Sequence, residues 1–260
     1  MRAHTRPLAP RSLRTAAAAL LCAAVAVGAA ACGPSGGEDT KPKAEAKAKG
    51  PFGELTGSQI LDKAIGATKA AKSLTVDVDV TSEGEPLKAY LSLDTRGNCV
   101  GTLTVGATGT AELIKADDKN AYLRLDEALL REELKGETPE TQKAVLKELK
   151  GRWTKSPLTE PDTKEMVALC DLKAMLADFE QGAAGTVKGE ETTVGKQKAL
   201  KLTESGDGET NTAYVATEGT PYLLKIVTTG GDEPGTVVFS EYDKPVDAKV
   251  PAKKDIVDLG

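Results

Sequence analysis

Hydrophobic and polar residues alternate strictly in one segment that begins at Leu74. In LTVDVDVT, apolar side chains occupy every second position, and Thr or Asp occupies the positions between them. Because successive side chains of a β-strand point to opposite faces, this alternation predicts a strand with one dry and one wet face. The same period returns after the turn EGEP, in residues 87–93, and again after RGN, in residues 99–105. Short strands joined by tight turns predict an antiparallel meander.

Helical periodicity appears before the meander and again inside it. Thr56 and Gln59 have the spacing of a capping box, and Leu61, Ala64 and Ile65 follow at the intervals of one helical face. The segments DEALLREELKG, TPETQKAVLKELKG and TKEMVALCDLKAMLADFEQG predict an inserted helical block. Further strands are expected at about 109–116, 120–125, 185–191, 194–203, 211–217, 222–228 and 235–242.

This order of elements predicts an α+β fold built on one curved sheet. About ten antiparallel strands curl strongly, which gives a half-barrel with an N-terminal helix and the inserted helical block covering its concave face. The dry face is mostly Val, Leu and Ile, so the interior is aliphatic. It is either filled by side chains or able to hold a ligand, and the sequence leaves both open. The candidate cavity residues are Val76, Val78, Leu91, Leu103, Leu172, Leu176, Phe179, Leu224 and Ile226.

The first 31 residues have the composition of an export signal. Four arginines precede a 16-residue apolar run from Ala16 to Ala31. Such a run is shorter than the roughly 20 residues that cross a bilayer as a helix, and it ends in small residues, as removable signal peptides do. A segment rich in Gly, Pro, Lys and Ala follows, with no apolar period. We therefore expect a signal peptide at 1–31, a flexible tether at 32–55 and a folded domain at 56–260.

The segment GAAAC, which ends at Cys32, resembles a bacterial lipobox, although Ala29 stands where that family prefers Leu. The resemblance implies that Cys32 is diacylated, becomes the first residue of the mature protein and anchors it at the extracytoplasmic face of the cell membrane. Two acyl chains hold a protein where one does not, because each buried methylene contributes about 0.8 kcal/mol. The alternative is an ordinary cleavage after Ala31 that releases a soluble, secreted protein.

Removal of the signal peptide leaves an acidic protein. Of the 34 basic residues, 4 lie in the signal peptide, so 30 remain against 39 acidic ones, a net charge of about −9. Such a surface repels nucleic acid and anionic head groups, and neither is expected as a partner. The remaining chain is long enough for one sizeable domain with its own core, which we expect to be a monomer.

Two cysteines remain in the predicted domain, Cys99 and Cys170. In an oxidising compartment the simplest expectation is that they pair with each other. The closed loop of about 70 residues would stabilise the fold by roughly 4 kcal/mol on chain-entropy grounds. The alternative is a pair of buried free thiols.

The residues needed for common enzyme chemistry are missing from the predicted domain. The only histidine, His4, lies in the signal peptide, which excludes a Ser-His-Asp triad and a His-ligated zinc site in the mature chain. Asp77 and Asp79 lie on the wet face of a strand, where ordinary solvation is expected. Asp207 and Glu209 belong to SGDGET, which predicts a turn, because the other ligand positions of a calcium loop are missing. We expect no catalytic activity, no metal and no cofactor.

The order of elements and the C-terminal segment FSEYDKPVDAKVPAKKDIVDL resemble a known family. An aromatic strand with Phe239 and Tyr242 is followed by Lys-Pro-Val at 244–246, Val-Pro at 250–251 and Asp-Ile at 255–256. Over residues 57–259 the chain resembles the LolA-type half-barrel, and in particular the LppX/LprG-type lipoproteins of mycobacteria. The resemblance implies a membrane-facing domain whose apolar cavity carries an acylated lipid or glycolipid. The alternative is a structural or protein-interaction lipoprotein with a filled core and no ligand.

Overall fold

The computed structural model describes residues 52–82, 84–106, 108–177 and 184–258. Its helices are α1 (Gly57–Ala70), α2 (Glu127–Glu133), α3 (Pro139–Leu149), α4 (Pro161–Ala168) and α5 (Leu172–Ala177). Its strands are β1 (Ser73–Ser82), β2 (Glu85–Asp94), β3 (Cys99–Val105), β4 (Gly109–Lys115), β5 (Asn120–Leu125), β6 (Trp153–Pro157), β7 (Val187–Val194), β8 (Gln197–Gly206), β9 (Glu209–Ala216), β10 (Leu223–Gly230), β11 (Gly235–Ser240) and β12 (Ile256–Asp258). None of the helices in these ranges is both long and apolar enough to span a membrane.

All twelve strands form one open, curved sheet in the order β12-β6-β5-β4-β3-β2-β1-β11-β10-β9-β8-β7. Two antiparallel meanders, β1–β6 and β7–β11, are joined by the antiparallel pairing of β1 with β11. The α+β half-barrel predicted from the sequence is therefore confirmed, with two more strands than expected. The additional strands are β6 and β12, which pair in parallel at one end of the sheet.

Helix α1 packs its apolar stripe on the half of the sheet that β7–β10 form. Its N-terminus has the predicted capping box, in which Thr56 accepts from the Gln59 amide and the Gln59 side chain accepts from the Thr56 amide. Ile60, Ala64 and Ile65 are at most 2% exposed. The stripe thus removes aliphatic surface from water, which stabilises the helix more than its intrinsic propensity does.

The inserted helical block is tied to the sheet by a disulfide. Cys99 at the start of β3 is bonded to Cys170, with 5.8 Å between their Cα atoms, so the predicted pair is present. The bond fixes the junction of α4 and α5 beside the sheet, and α5 contacts α1. Leu176 on α5 is completely buried, whereas α3 buries no residue. Within the block, α5 therefore contributes to the core together with α4, whose Met166 and Val167 also pack against it.

Candidate ligand-binding cavity

The strand register arranges the inward-facing side chains of the second meander in three rows. The inner row runs through Leu200, Val215 and Leu223 on β8, β9 and β10, all buried. The next row along the strands, the middle row, consists of Leu202, Ala213, Ile226 and Val237 on β8–β11. The outer row is polar on the first three strands, with Glu204, Asn211 and Thr228. The interior therefore changes from apolar to polar towards the ends of these strands.

A cavity of about 390 Å³ lies against the middle and outer rows. Its apolar wall includes the four residues of the middle row, and Leu61 of α1 and Met175 of α5 lie across from them. Ala213 is the smallest side chain in this wall, and it lies between Leu202 and Ile226 in the register. A larger side chain at position 213 would project into the cavity, whereas the methyl group of Ala213 leaves that space unfilled.

Polar residues surround the opening of this cavity. Glu204, Glu209, Asn211 and Glu233 line it and also line a wider recess of about 670 Å³. The recess is completed by the β8–β9 turn and by the turn between β10 and β11, which contribute Asp207 and Asp232. The apolar cavity thus continues into an acidic recess, which we call the mouth.

Hydrogen bonds within the mouth use the donors of its neutral side chains. The Thr228 hydroxyl donates to Asn211 Oδ1 over 2.7 Å, and Asn211 Nδ2 donates to Glu209 Oε1 over 2.5 Å. Burial raises the pKa of Glu204 above its usual value, and the neighbouring charge of Glu209 raises it further. The two carboxylates therefore repel each other in an environment that solvates them less well than water.

A β-bulge in β10 determines which residues of that strand face the cavity. The register shifts between Leu223 and Lys225, so Leu223 and Ile226 both belong to the main core. The Leu223 amide donates to the Thr68 hydroxyl on α1 over 3.0 Å, and its carbonyl accepts from the Tyr242 hydroxyl. The polar backbone groups at the bulge are thus satisfied by side chains from two other elements.

The structure places the candidate cavity residues in several environments. Of the nine, Ile226 lines the cavity. The main core also contains Val76, Leu91, Leu103 and Leu176 as buried members, with Val78 and Leu172 packed against it. The prediction that Leu224 faces the cavity is wrong. The bulge turns Leu224 to the opposite face of the sheet, where it packs with Ala199 and Ala216. Phe179 and the candidate lipidation site Cys32 lie outside the described residues.

The cavity can hold an apolar group, and its mouth can accept hydrogen bonds. The sequence did not single out Leu61, Met175, Leu202 or Ala213 as cavity residues, nor Glu204 and Glu233 as parts of its mouth. Within the described ranges, no cluster of three or more His, Cys, Asp or Glu residues is arranged to hold a metal ion.

No family model and no curated protein matches this chain. Among solved structures, LprF from Mycobacterium bovis matches with a TM-score of 0.52 and 15% identity, over 75% of this chain and 97% of LprF. This chain has the fold of LprF. The lipoprotein LppX from Mycobacterium tuberculosis matches with a TM-score of 0.48 and 13% identity, over 74% of this chain and 98% of LppX. The resemblance inferred from the order of elements is thus confirmed for the fold, at an identity too low to carry a function with it.

Proposed function

We propose that the protein is a lipoprotein anchored through Cys32 at the extracytoplasmic face of the cell membrane, and that it binds the hydrocarbon part of a lipid or acylated ligand. The observation that carries this proposal is the cavity of about 390 Å³ beneath α1 and α5. Pockets for small ligands typically enclose about 300–1,000 Å³ and are lined mostly by apolar side chains. The volume is near the lower end of that range, which favours a single hydrocarbon chain.

The affinity of such a site would come from apolar area. Each methylene removed from water contributes about 0.8 kcal/mol, which changes the dissociation constant roughly fourfold. The walls are aliphatic and offer no directional contact to a hydrocarbon chain. We therefore expect affinity to rise steadily with chain length until the cavity is full, and to depend little on the detailed shape of the chain.

Binding without catalysis is part of the proposal. The mature chain has no histidine, so an imidazole base is not available to it. The paired carboxylates at the mouth, Glu204 and Glu209, lie beyond the apolar wall that would hold the chain. We assign them to recognition of the exposed end of the ligand.

Native mass spectrometry of the protein extracted from its own membrane tests the proposal. We expect one lipid to be retained per protein, together with a mass increase of a diacylglyceryl group that disappears in Cys32→Ala. A protein without lipid that also fails to bind added alkyl probes would refute the carrier function and favour a structural or interaction lipoprotein. Absence of the diacylglyceryl mass would refute the anchor alone and favour secretion.

A further inference from the structure

The charge at the mouth restricts what the exposed end of a ligand can be, which deepens the proposed function and rests on it. Five carboxylates line the cavity and its mouth: Glu204, Asp207, Glu209, Asp232 and Glu233. No lysine or arginine is among the described lining residues, and none of the ion pairs between described residues includes these five. The cavity therefore opens through a surface of a single sign.

The two turns that carry Asp207, Asp232 and Glu233 are held close together. A β-carbon built at Gly230, the last residue of β10, would lie 2.2 Å from the carbonyl oxygen of Gly208, so the backbone that leads into the β10–β11 turn touches the β8–β9 turn. Gly230 has a φ of 75°, which glycine adopts without strain. The close approach places Asp207 of the β8–β9 turn and Asp232 of the β10–β11 turn in the same recess.

The hydrogen-bonding capacity left at the mouth is mainly that of an acceptor. The Thr228 hydroxyl donates to Asn211 Oδ1, and one N–H of Asn211 Nδ2 donates to Glu209. Glu233 accepts from the Ser82 hydroxyl over 3.0 Å, and Glu204 accepts no side-chain hydrogen bond from a described residue. Carboxylate oxygens with open lone pairs are complementary to a group that brings both protons and positive charge.

We propose that the cavity selects amphiphiles with a single hydrocarbon chain and a cationic, hydrogen-bond-donating head, and that it rejects amphiphiles with an anionic head. The chain occupies the space between the middle row and the two helices. The ammonium or similar head lies at the mouth between Glu204, Glu209 and Glu233. An anionic head in the same place would lose solvation and meet carboxylates of its own sign.

Titration calorimetry with three probes of equal chain length tests this proposal: decylammonium, decyl glucoside and decanoate, each below its micelle concentration. We expect decylammonium to bind one-to-one and at least about tenfold more tightly than decanoate at neutral pH, with decyl glucoside between them. Added salt should narrow the difference between the charged probes, because the mouth is accessible to solvent. Failure of all three probes to bind would refute the proposed function itself. Equal affinities, or tighter binding of decanoate, would refute only the selectivity.

Two double variants distinguish the effect of the charges at the mouth from the effect of the protein's overall negative charge. Glu204→Gln combined with Glu209→Gln should reduce the ratio of the decylammonium affinity to the decanoate affinity severalfold. The control combines Glu190→Gln with Glu191→Gln, which removes the same charge from the exposed edge strand β7. We expect this control to keep the preference of the parent protein. The proposal is overturned if the mouth variant keeps the full preference, or if both double variants lose it equally.

Discussion

Filling the cavity from its own wall provides a direct test of whether the space beneath α1 is available. Ala213 is 8% exposed and lies in the wall between Leu202 and Ile226. We predict that Ala213→Phe projects its ring into the 390 Å³ cavity without displacing a neighbour. Burying a Phe side chain contributes about 1.5–3 kcal/mol, and part of the ring will remain exposed at the open side. We therefore expect a gain of about 1–2 kcal/mol, less any strain in the side-chain rotamer.

The matched control places the same ring where the core is full. Ala121 on β5 is completely buried in the main core cluster and does not line the cavity. Inserting a ring there forces neighbours to move, which costs about 1–3 kcal/mol or more. In a domain of this size each kcal/mol shifts the melting temperature by roughly 2–4 °C. Ala213→Phe should therefore melt a few degrees above the parent protein and Ala121→Phe several degrees below it.

The rise in melting temperature on adding a ligand should also distinguish the two variants, and it should be larger for Ala121→Phe. A ligand at 100 times its dissociation constant stabilises a native protein by about 2.7 kcal/mol, so an alkyl probe should raise the melting temperature of the parent protein and of Ala121→Phe. Ala213→Phe should show little or no rise, because its own ring occupies the site. Equal destabilisation of both variants would mean that the space is not available. A stable Ala213→Phe that still binds the probe would place the site elsewhere.

Three further predictions concern the frame around the cavity. Gly57→Ala should lower the free energy of unfolding by about 1–3 kcal/mol, because its β-carbon would lie 2.2 Å from the carbonyl oxygen that precedes β7. Gly66→Ala in the same helix has open space, so urea denaturation should show a neutral or stabilising effect. Glu204→Gln should raise the melting temperature at pH 7, since the raised pKa of this carboxyl means that its charged form is disfavoured in the folded state. The gain should vanish below the unfolded-state pKa of about 4.3, and a constant gain at all pH values would contradict this cause. Reduction of the Cys99–Cys170 bond, which closes a separation of 71 residues, should lower stability by about 4 kcal/mol, while Cys99→Ala with Cys170→Ala should be insensitive to reductant.

Local periodicity was sufficient to predict β1, β2 and β8, the three ten-residue strands, because each has buried positions in the core. In LTVDVDVT, Val76 pairs with Phe239 and Val78 pairs with Val237 of the middle row, and both valines pack in the main core, as strict alternation requires. Strands β6 and β12 were missed for a different reason. They have five and three residues, and their pairing joins Ile256 to Trp153 in parallel. A pattern within either short segment contains no information about a partner about 100 residues away.

The error at Leu224 has an equally local cause. Alternation places Leu224 and Ile226 on the same face, but the bulge adds a residue to β10 and reverses the orientation of Leu224. The bulge depends on side chains from other elements, since Thr68 and Tyr242 bind the backbone of Leu223. Thr68 is 155 residues from Leu223 in the sequence, and Tyr242 is 19 residues from it. The pattern within β10 therefore gives no sign of the bulge. The cavity could not be predicted from one segment either, because strands of the sheet, α1 and α5 all contribute to its lining. Ala213 leaves space only because neither helix fills it.

The size of the unfilled space supports the proposal that it is a binding site. A dry void destabilises a protein by about 24 cal/mol per Å³, so 390 Å³ would cost roughly 9 kcal/mol if it were sealed. That figure is comparable with the whole stability of an ordinary domain, which is about 5–15 kcal/mol. Access through the acidic mouth lowers the cost by admitting water, but the half-buried side chain of Val237 in the cavity wall then contacts that water. A hydrocarbon chain removes this penalty, because it supplies the apolar contacts that the surrounding core already makes with itself. In the Ala213→Phe variant the phenyl ring occupies the space proposed for the hydrocarbon chain. Its higher stability and its loss of binding should therefore both result from filling the cavity.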